Sequence, residues 1–485
     1  MLAMLPNTGT TYSLYRYGKQ LSRVSSPCQR PAAQLIQCLH PFLLGQQNGQ
    51  CYSKDSKKLP LRDTLDHEPD LGLDLEEHVY EGKHHKLGTR VYIWGVAAHG
   101  ALGRASFVNP ILSKRQTPID CRLHPHRLEF GEKHKVLDVS CGYGFTVFAV
   151  KPKGQPSIFG TGLNGEGQLG IQRTKKGKDI TIVPEPVPIE LGLQQGDAVI
   201  KVSCGRAHTL ALAKSGAVYG VGCNSFGQCG RPVVPDEDVS WRRSAIQGLP
   251  PDVVQVQAGQ DTSFMVTSGG EVWSCGWGAD GQHGRGHYGS ETNVGLVKGE
   301  LQDLKVVKVA SRADCALALT ESGDVLGWGN NEYGQLLTAA DEPQLHTPRR
   351  LPLPPTVGRI VDVAASGSAC FVLNDKGDVY SWGFGPLGRG PENIQCSSPQ
   401  LIPPPLFGRN EFTPDVKVVS VVCGVHMVTC ITNNGNLYSW GRNIGGNLGL
   451  GHRHEQSFPV QVCMLGRVLQ ASCGVDHSAA LARTL

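Results

Sequence analysis

Sixteen cysteines and seventeen histidines are enough to build a metal centre or a nucleophile with its base, so their spacing decides what chemistry is open to this chain. No C-x-x-C occurs, and no cysteine or histidine pairs fall at a zinc spacing. Cys141, Cys204, Cys423 and Cys473 instead share one column of an internal repeat, where Ala258, Ser311 and Ala365 stand in the other copies. A position that accepts Cys, Ala and Ser wants a small buried group, so these thiols read as packing. His208 and His477 also share a column, with Phe145, Thr262, Cys315, Ala369 and Met427. A catalytic base is not exchanged for Phe or Ala between repeats, so a buried histidine bonded within its own turn is expected. There is no G-x-x-x-x-G-K-[ST], no serine elbow and no zinc-type histidine pair. The expectation is a protein that is not an enzyme in the ordinary sense, with no metal and no cofactor.

The elements that carry these columns repeat seven times. One unit reads VSCGRAHTLAL (202–212), VVCGVHMVTCI (421–431) and ASCGVDHSAAL (471–481). A second reads VYIWGVAAHGALGR (91–104), GDVYSWGFGPLGRG (377–390) and GNLYSWGRNIGGNLGLG (435–451). The segments are short, near period two and punctuated by glycine, which is β chemistry. KSG, ESG, DKG and NNG between paired segments are hairpin turns, because Gly and Asn accept positive φ. Trp94, Trp328, Trp382 and Trp440 recur at one place and read as aromatics packed between repeats. Units of roughly 50–60 residues with several strands each predict a seven-bladed all-β propeller over 91–485. The chain ends on the first half of a repeat, and the repeats begin on the second half. N-terminal strands should therefore pair with the C-terminal strands and close the last blade, removing the free edge.

With 61 glycines and 31 prolines in 485 residues, a mainly helical fold is excluded. No run of eighteen apolar residues offers a membrane-spanning helix. The formal charge of +4 hints at nucleic acid until its distribution is followed. Residues 1–54 hold Arg16, Lys19, Arg23, Arg30 and Lys54 and no acid, the composition of a mitochondrial transit peptide or of a disordered basic leader. Removing them leaves 46 − 5 = 41 bases against 42 acids, so the remainder is near −1. Residues 55–90 form an acidic linker or arm, with nine acids against three bases up to Glu81.

The alternation CG..H(S/T)..AL, a Gly turn and (V/L)YSWG....G.LG resembles the regulator of chromosome condensation repeat, in all seven copies. The acid-free leader is similar to that of a mitochondrial member of the family. The resemblance implies an exchange factor: a propeller face that promotes nucleotide release from a small GTPase, with an acid in the third blade corner and a wedge-like insertion before it. Asp261 of VQAGQDTSF (256–264) takes the acid's place. RPVVPDEDVSWRRSA (231–245) matches the insertion, with Asp236, Glu237, Asp238, Trp241 and Arg242 as contacts for the GTPase. An exchange factor must favour the nucleotide-free state, and a projecting carboxylate would serve by repelling phosphate. Two departures stand beside this. Arg206 occupies the second corner where the founding regulator has an acid, and Asp314 and Asp476 share the turn position of Asp261, which also suits a turn cap.

The resemblance further implies a mitochondrial partner, in the matrix or on the matrix face of the inner membrane. That partner is an inner-membrane dynamin-related fusion GTPase, with peripheral membrane association and a monomeric propeller. The alternative is an RNA-associated scaffold for mitochondrial large-subunit ribosomal RNA maturation. Arg173, Lys175, Lys176 and Lys178 of QRTKKGK (172–178) are its candidate phosphate contacts, with a second basic run at 121–135. Both runs are expected in rim connections, where charge that is merely solvated is the plain reading.

Overall fold

The computed structural model describes residues 88–109, 117–152, 156–233, 244–338 and 342–484. The leader and most of the acidic arm therefore lie outside the described residues. Among the described residues twenty-seven strands form six four-stranded sheets and one three-stranded sheet, all antiparallel. We number the blades 1 to 6 from the innermost strands Val136–Cys141, Val199–Cys204, Val253–Ala258, Val306–Ser311, Ile360–Ala365 and Val418–Cys423. Blade 7 starts from Arg467–Cys473. Each innermost strand packs against the next, and the seventh against the first, so the ring closes.

Blade 7 is composite. Its strands run, from the axis outward, Arg467–Cys473, His477–Arg483, Thr89–Val96 and Cys121–Arg127. The third pairs with the second from Thr89↔Arg483 to Gly95↔His477. This is the closure expected from the split repeat, and the first strand begins slightly ahead of residue 91. The basic run at 121–135 departs from expectation. Its first half is the outer strand of blade 7, not a connection, because pairing to the closing strand satisfies its backbone. Arg127 there is tied to Glu132 at 2.6 Å.

Two repeat columns shape the ring. Trp94, Trp328, Trp382 and Trp440 are fully buried, and each indole Nε1 donates to a carbonyl of the preceding blade, at Asn447, Gln282, Gln335 and Pro386. A buried indole thus fills the gap between blades without leaving its N–H unsatisfied. The glycine after each Trp column position stands where the backbone needs positive φ. At Gly441 φ is 115°, and a Cβ would lie 2.4 Å from the His426 carbonyl oxygen.

Innermost strands are also stitched laterally. Ser472, Ser140 and Ser203 accept at Oγ from the amides of Cys141, Cys204 and Ala258 in the next blade, at 2.8–2.9 Å. Cys141, Cys204, Cys423 and Cys473 are buried beside these contacts. Burial pushes the Cys204 thiol up to about 12 and that of Cys473 to about 11, so both stay protonated. Among the described residues no group of three or more His, Cys, Asp or Glu is placed to hold a metal ion.

Candidate functional site: the corner face

Each innermost strand runs to one end of the ring and turns through a four-residue corner into the second strand of its blade. Seven corners therefore meet around the axis on one face. The corners of blades 2 and 3, GRAH (205–208) and GQDT (259–262), are joined by a backbone bond from the Arg206 amide to the Gln260 carbonyl at 2.9 Å. That bond brings the Arg206 guanidinium onto Asp261 as a two-pronged pair: Nη2 to Oδ2 at 2.8 Å and Nε to Oδ1 at 3.2 Å. Gln228 Nε2 reaches the same Oδ1 at 3.4 Å.

This arrangement corrects the projecting carboxylate. The Asp261 side chain is 8% exposed and the Arg206 side chain 36%, so the face presents the cation of the pair and covers the anion. The two sequence departures are one feature: an Arg in the second corner compensates the acid in the third. The Asp261 charge in turn holds the Arg206 guanidinium above its usual basicity. No side-chain bond caps the turn at Asp261. Asp476 does not cap either, and accepts from His477 Nδ1 at 2.8 Å.

A second arginine closes the axis. In blade 4 the corner is RADC (312–315), with Arg312 in the column that holds glycine in five other copies. Its guanidinium donates to the Cys204 carbonyl of blade 2 at 3.1 Å and the Cys423 carbonyl of blade 6 at 2.9 Å. Tyr143 of the blade 1 corner is half-buried near these groups. Burial, then the Asp261 charge, pushes its phenol up, so it remains a hydroxyl. Arg206, Asp261, Arg312, Asp314 and Tyr143 thus make a polar cluster with two charges of each sign. Arg312 was legible as the one Arg in a glycine column, but its span of the axis was not.

The histidines behave as packing residues with one bond each to a neighbour blade. His208 Nε2 lies 3.0 Å from Ser263 Oγ, and His477 Nε2 lies 2.8 Å from Thr146 Oγ1. Burial, helped by the Arg206 charge, lowers His208 to about 3, so it is neutral.

The connections from third to fourth strands emerge on this same face, and the basic turn of blade 1 belongs to one of them. Thr174 and Lys178 close a tight turn by a backbone bond of 2.8 Å, which puts Lys175, Lys176 and Lys178 together in solvent. Arg173 is drawn off to Asp179 at 2.9 Å. Asp236, Glu237, Asp238, Trp241 and Arg242 lie outside the described residues. The insertion's base is anchored: Arg231 is buried and donates to the Gly220 carbonyl at 2.8 Å, and Ala245 bridges Tyr219 at the fourth-strand position of blade 2.

Comparison with known proteins agrees with this geometry. The RCC1-like domain matches residues 190–484, and the regulator of chromosome condensation (RCC1) repeat matches 90–149 and 157–212. A mouse relative, "RCC1-like G exchanging factor-like protein", is 42% identical over 85% of this chain and 91% of its own length. The solved structure of human WBSCR16 is 41% identical, with a TM-score of 0.76, and the match covers 82% of this chain and all of that one. Prp20p from Saccharomyces cerevisiae is 21% identical with a TM-score of 0.65 over 83% of this chain and 93% of its own, which speaks for the shared fold alone. Matched over both halves of its ring and along nearly the whole of a relative, the chain belongs to the regulator of chromosome condensation (RCC1) repeat family.

Proposed function

We propose that this chain is a guanine-nucleotide exchange factor-like regulator that engages a GTPase through the corner face. The observation that carries this is the likeness, over 85% of this chain and 91% of the relative, to a protein named as G exchanging factor-like. The corner cluster supports it physically. Exchange needs a surface that binds the nucleotide-free GTPase better than the loaded one. Arg206 faces solvent while tethered to Asp261, so a partner carboxylate can recruit the guanidinium and expose the acid beneath it. The exposed acid would then oppose phosphate or pair with the lysine that phosphate leaves behind. The basic leader and the family resemblance support a mitochondrial partner, an inner-membrane dynamin-related fusion GTPase.

Release of labelled GDP from that GTPase tests the reading. Faster release with the wild-type chain, lost in Arg206→Ala and Asp261→Asn, is the expected result. No acceleration by folded protein sinks it. Mitochondrial import of a reporter fused to residues 1–54 tests the address separately.

The turn carrying Lys175, Lys176 and Lys178 favours a second reading, an RNA-associated scaffold in ribosomal RNA maturation. Crosslinking to mitochondrial ribosomal RNA that disappears when all three become Ala supports it. Unchanged crosslinking removes this turn from the interface.

A further inference from the structure

The opposite end of the ring carries a repeated feature that the corner face does not use. Each innermost strand carries two consecutive aliphatic residues at its start, such as Val136-Leu137 in blade 1 and, after Arg467, Val468-Leu469 in blade 7. The first of each pair is buried. Pairing with the second strand skips the next residue in every blade: Val136 pairs with Val150 and Asp138 with Ala149, and the same shift recurs six more times. A bulge leaves its extra residue unpaired and re-aims it. The re-aimed residues Leu137, Val254, Val307, Val361, Val419 and Leu469 are 37–56% exposed, and Ile200 completes the set half-buried. Because these strands surround the axis, one aliphatic side chain per blade forms a collar at the end away from the corners. The two most exposed large apolar side chains among the described residues, Phe412 (93%) and Leu465 (76%), stand in the connections leading into blades 6 and 7, at this same end.

Charge around the collar is ordered. The residue before each aliphatic pair is Lys135, Lys305, Arg359, Lys417 or Arg467 in five blades, all exposed. Ala198 and Asp252 stand in the other two. The arginines are held in place by carbonyls: Arg359 Nη2 donates to Glu321 and Arg467 Nη2 to Asn433, each at 2.8 Å. Farther out, the hairpin turns at this end mix the signs, with Glu271, Glu321, Asp324, Asp375 and Asp378 beside Lys151, Lys214, Lys376 and Arg483. Lys305 is paired with Glu321 at 2.7 Å and Arg350 with Asp324 at 2.8 Å. The centre is therefore apolar with a basic rim, and the periphery carries both signs. A single soluble chain does not ordinarily expose an apolar set of this extent without a partner.

We propose that the collar docks an acidic peptide segment of a partner protein, one that interleaves carboxylates with aliphatic or aromatic side chains. A segment one chain wide meets the collar and the basic rim alone. A flat anionic bilayer would also have to meet the mixed-sign turns, whose acids oppose its phosphates. Burying aliphatic anchors supplies affinity, and the basic rim supplies preference for acidic sequence.

Selection from a random twelve-residue peptide display library on the immobilised full-length chain tests this. Enriched peptides should combine Asp or Glu with Leu, Ile or Phe and should bind more weakly as salt is raised. Their Kd should rise about tenfold in Val419→Asp with Leu469→Asp, and several-fold in Lys417→Ala with Arg467→Ala. Val419→Ser with Leu469→Ser removes the apolar contact without adding charge and should weaken binding with no change in melting temperature. Failure to enrich acidic-apolar peptides, or equal binding to the collar variants, overturns the proposal. So does wild-type-only sedimentation with vesicles of four parts phosphatidylcholine to one part phosphatidylglycerol in place of peptide binding, which assigns the collar to membranes.

Discussion

Arg206 and Asp261 lie 55 residues apart and meet only because neighbouring corners of the ring touch. Their energetics are asymmetric. Removing Arg206 leaves a covered carboxylate without its counter-charge, whereas removing Asp261 leaves a guanidinium that can turn to water. Arg206→Ala should therefore cost about 2 kcal/mol of stability, discounted from a fully buried pair because the guanidinium is partly exposed. Asp261→Asn should cost less, and the double variant should recover part of the loss; urea titrations of the three proteins check the order. His208 gives a pH signature beside them. Its folded value near 3 lies below the ordinary 6.5, so the unfolded chain binds the extra proton between those values. The contribution is complete above pH 6.5 and is lost as pH falls from 6.5 toward 3, by up to about 4 kcal/mol. His208→Gln should flatten that part of the stability–pH curve, measured by thermal melts across the range. A column of a repeat displays what all seven copies share, so the burial of His208 and Cys204 was legible, whereas the bond of His208 runs to Ser263 of the next blade and not within its own turn as expected. A pair made by two differing columns of adjacent copies is not displayed, so Asp261 read as a projecting acid.

Elements that recur were the most legible. Trp440 fills the gap between blades as repetition suggested, and Gly441 beside it lets the strand pass the corner carbonyl, which only the structure shows. Gly441→Ala should cost about 2–3 kcal/mol, since positive φ and the His426 carbonyl both oppose a Cβ. Trp440→Ala should cost about 3–5 kcal/mol through the cavity it opens. Denaturant unfolding with an unchanged m-value would show that each acts on stability and not on the extent of folding. The aliphatic doublets behaved otherwise. Val418-Val419 reads as strand core in any sequence scan, and only the bulge, set by pairing with the next strand, turns Val419 outward. The basic run at 121–135 shows the reverse error. Its charge suggested a rim connection, but the composite blade needed an outer strand there, and Cys121–Arg127 supplies it.

At the scale of the whole molecule the ring has two different ends. One gathers the corners, the Arg206–Asp261 pair, the axial Arg312 and the Lys175–Lys176–Lys178 turn. The other gathers the aliphatic collar and its basic rim. Split-repeat closure makes both ends depend on Thr89–Val96, because blade 7 loses its third and fourth strands without it. A chain starting at residue 98 should therefore fail to give the cooperative melt of the intact ring. The corner end is the one proposed to act on a GTPase. Stopped-flow release of labelled GDP from the dynamin-related fusion GTPase, with wild-type chain, a corner variant (Arg206→Ala) and a collar variant (Val419→Ser with Leu469→Ser), tests it most directly. Acceleration by the wild type and the collar variant, with at least a tenfold smaller effect of the corner variant, is the expected result. Equal acceleration by all three, or none by any, would contradict it.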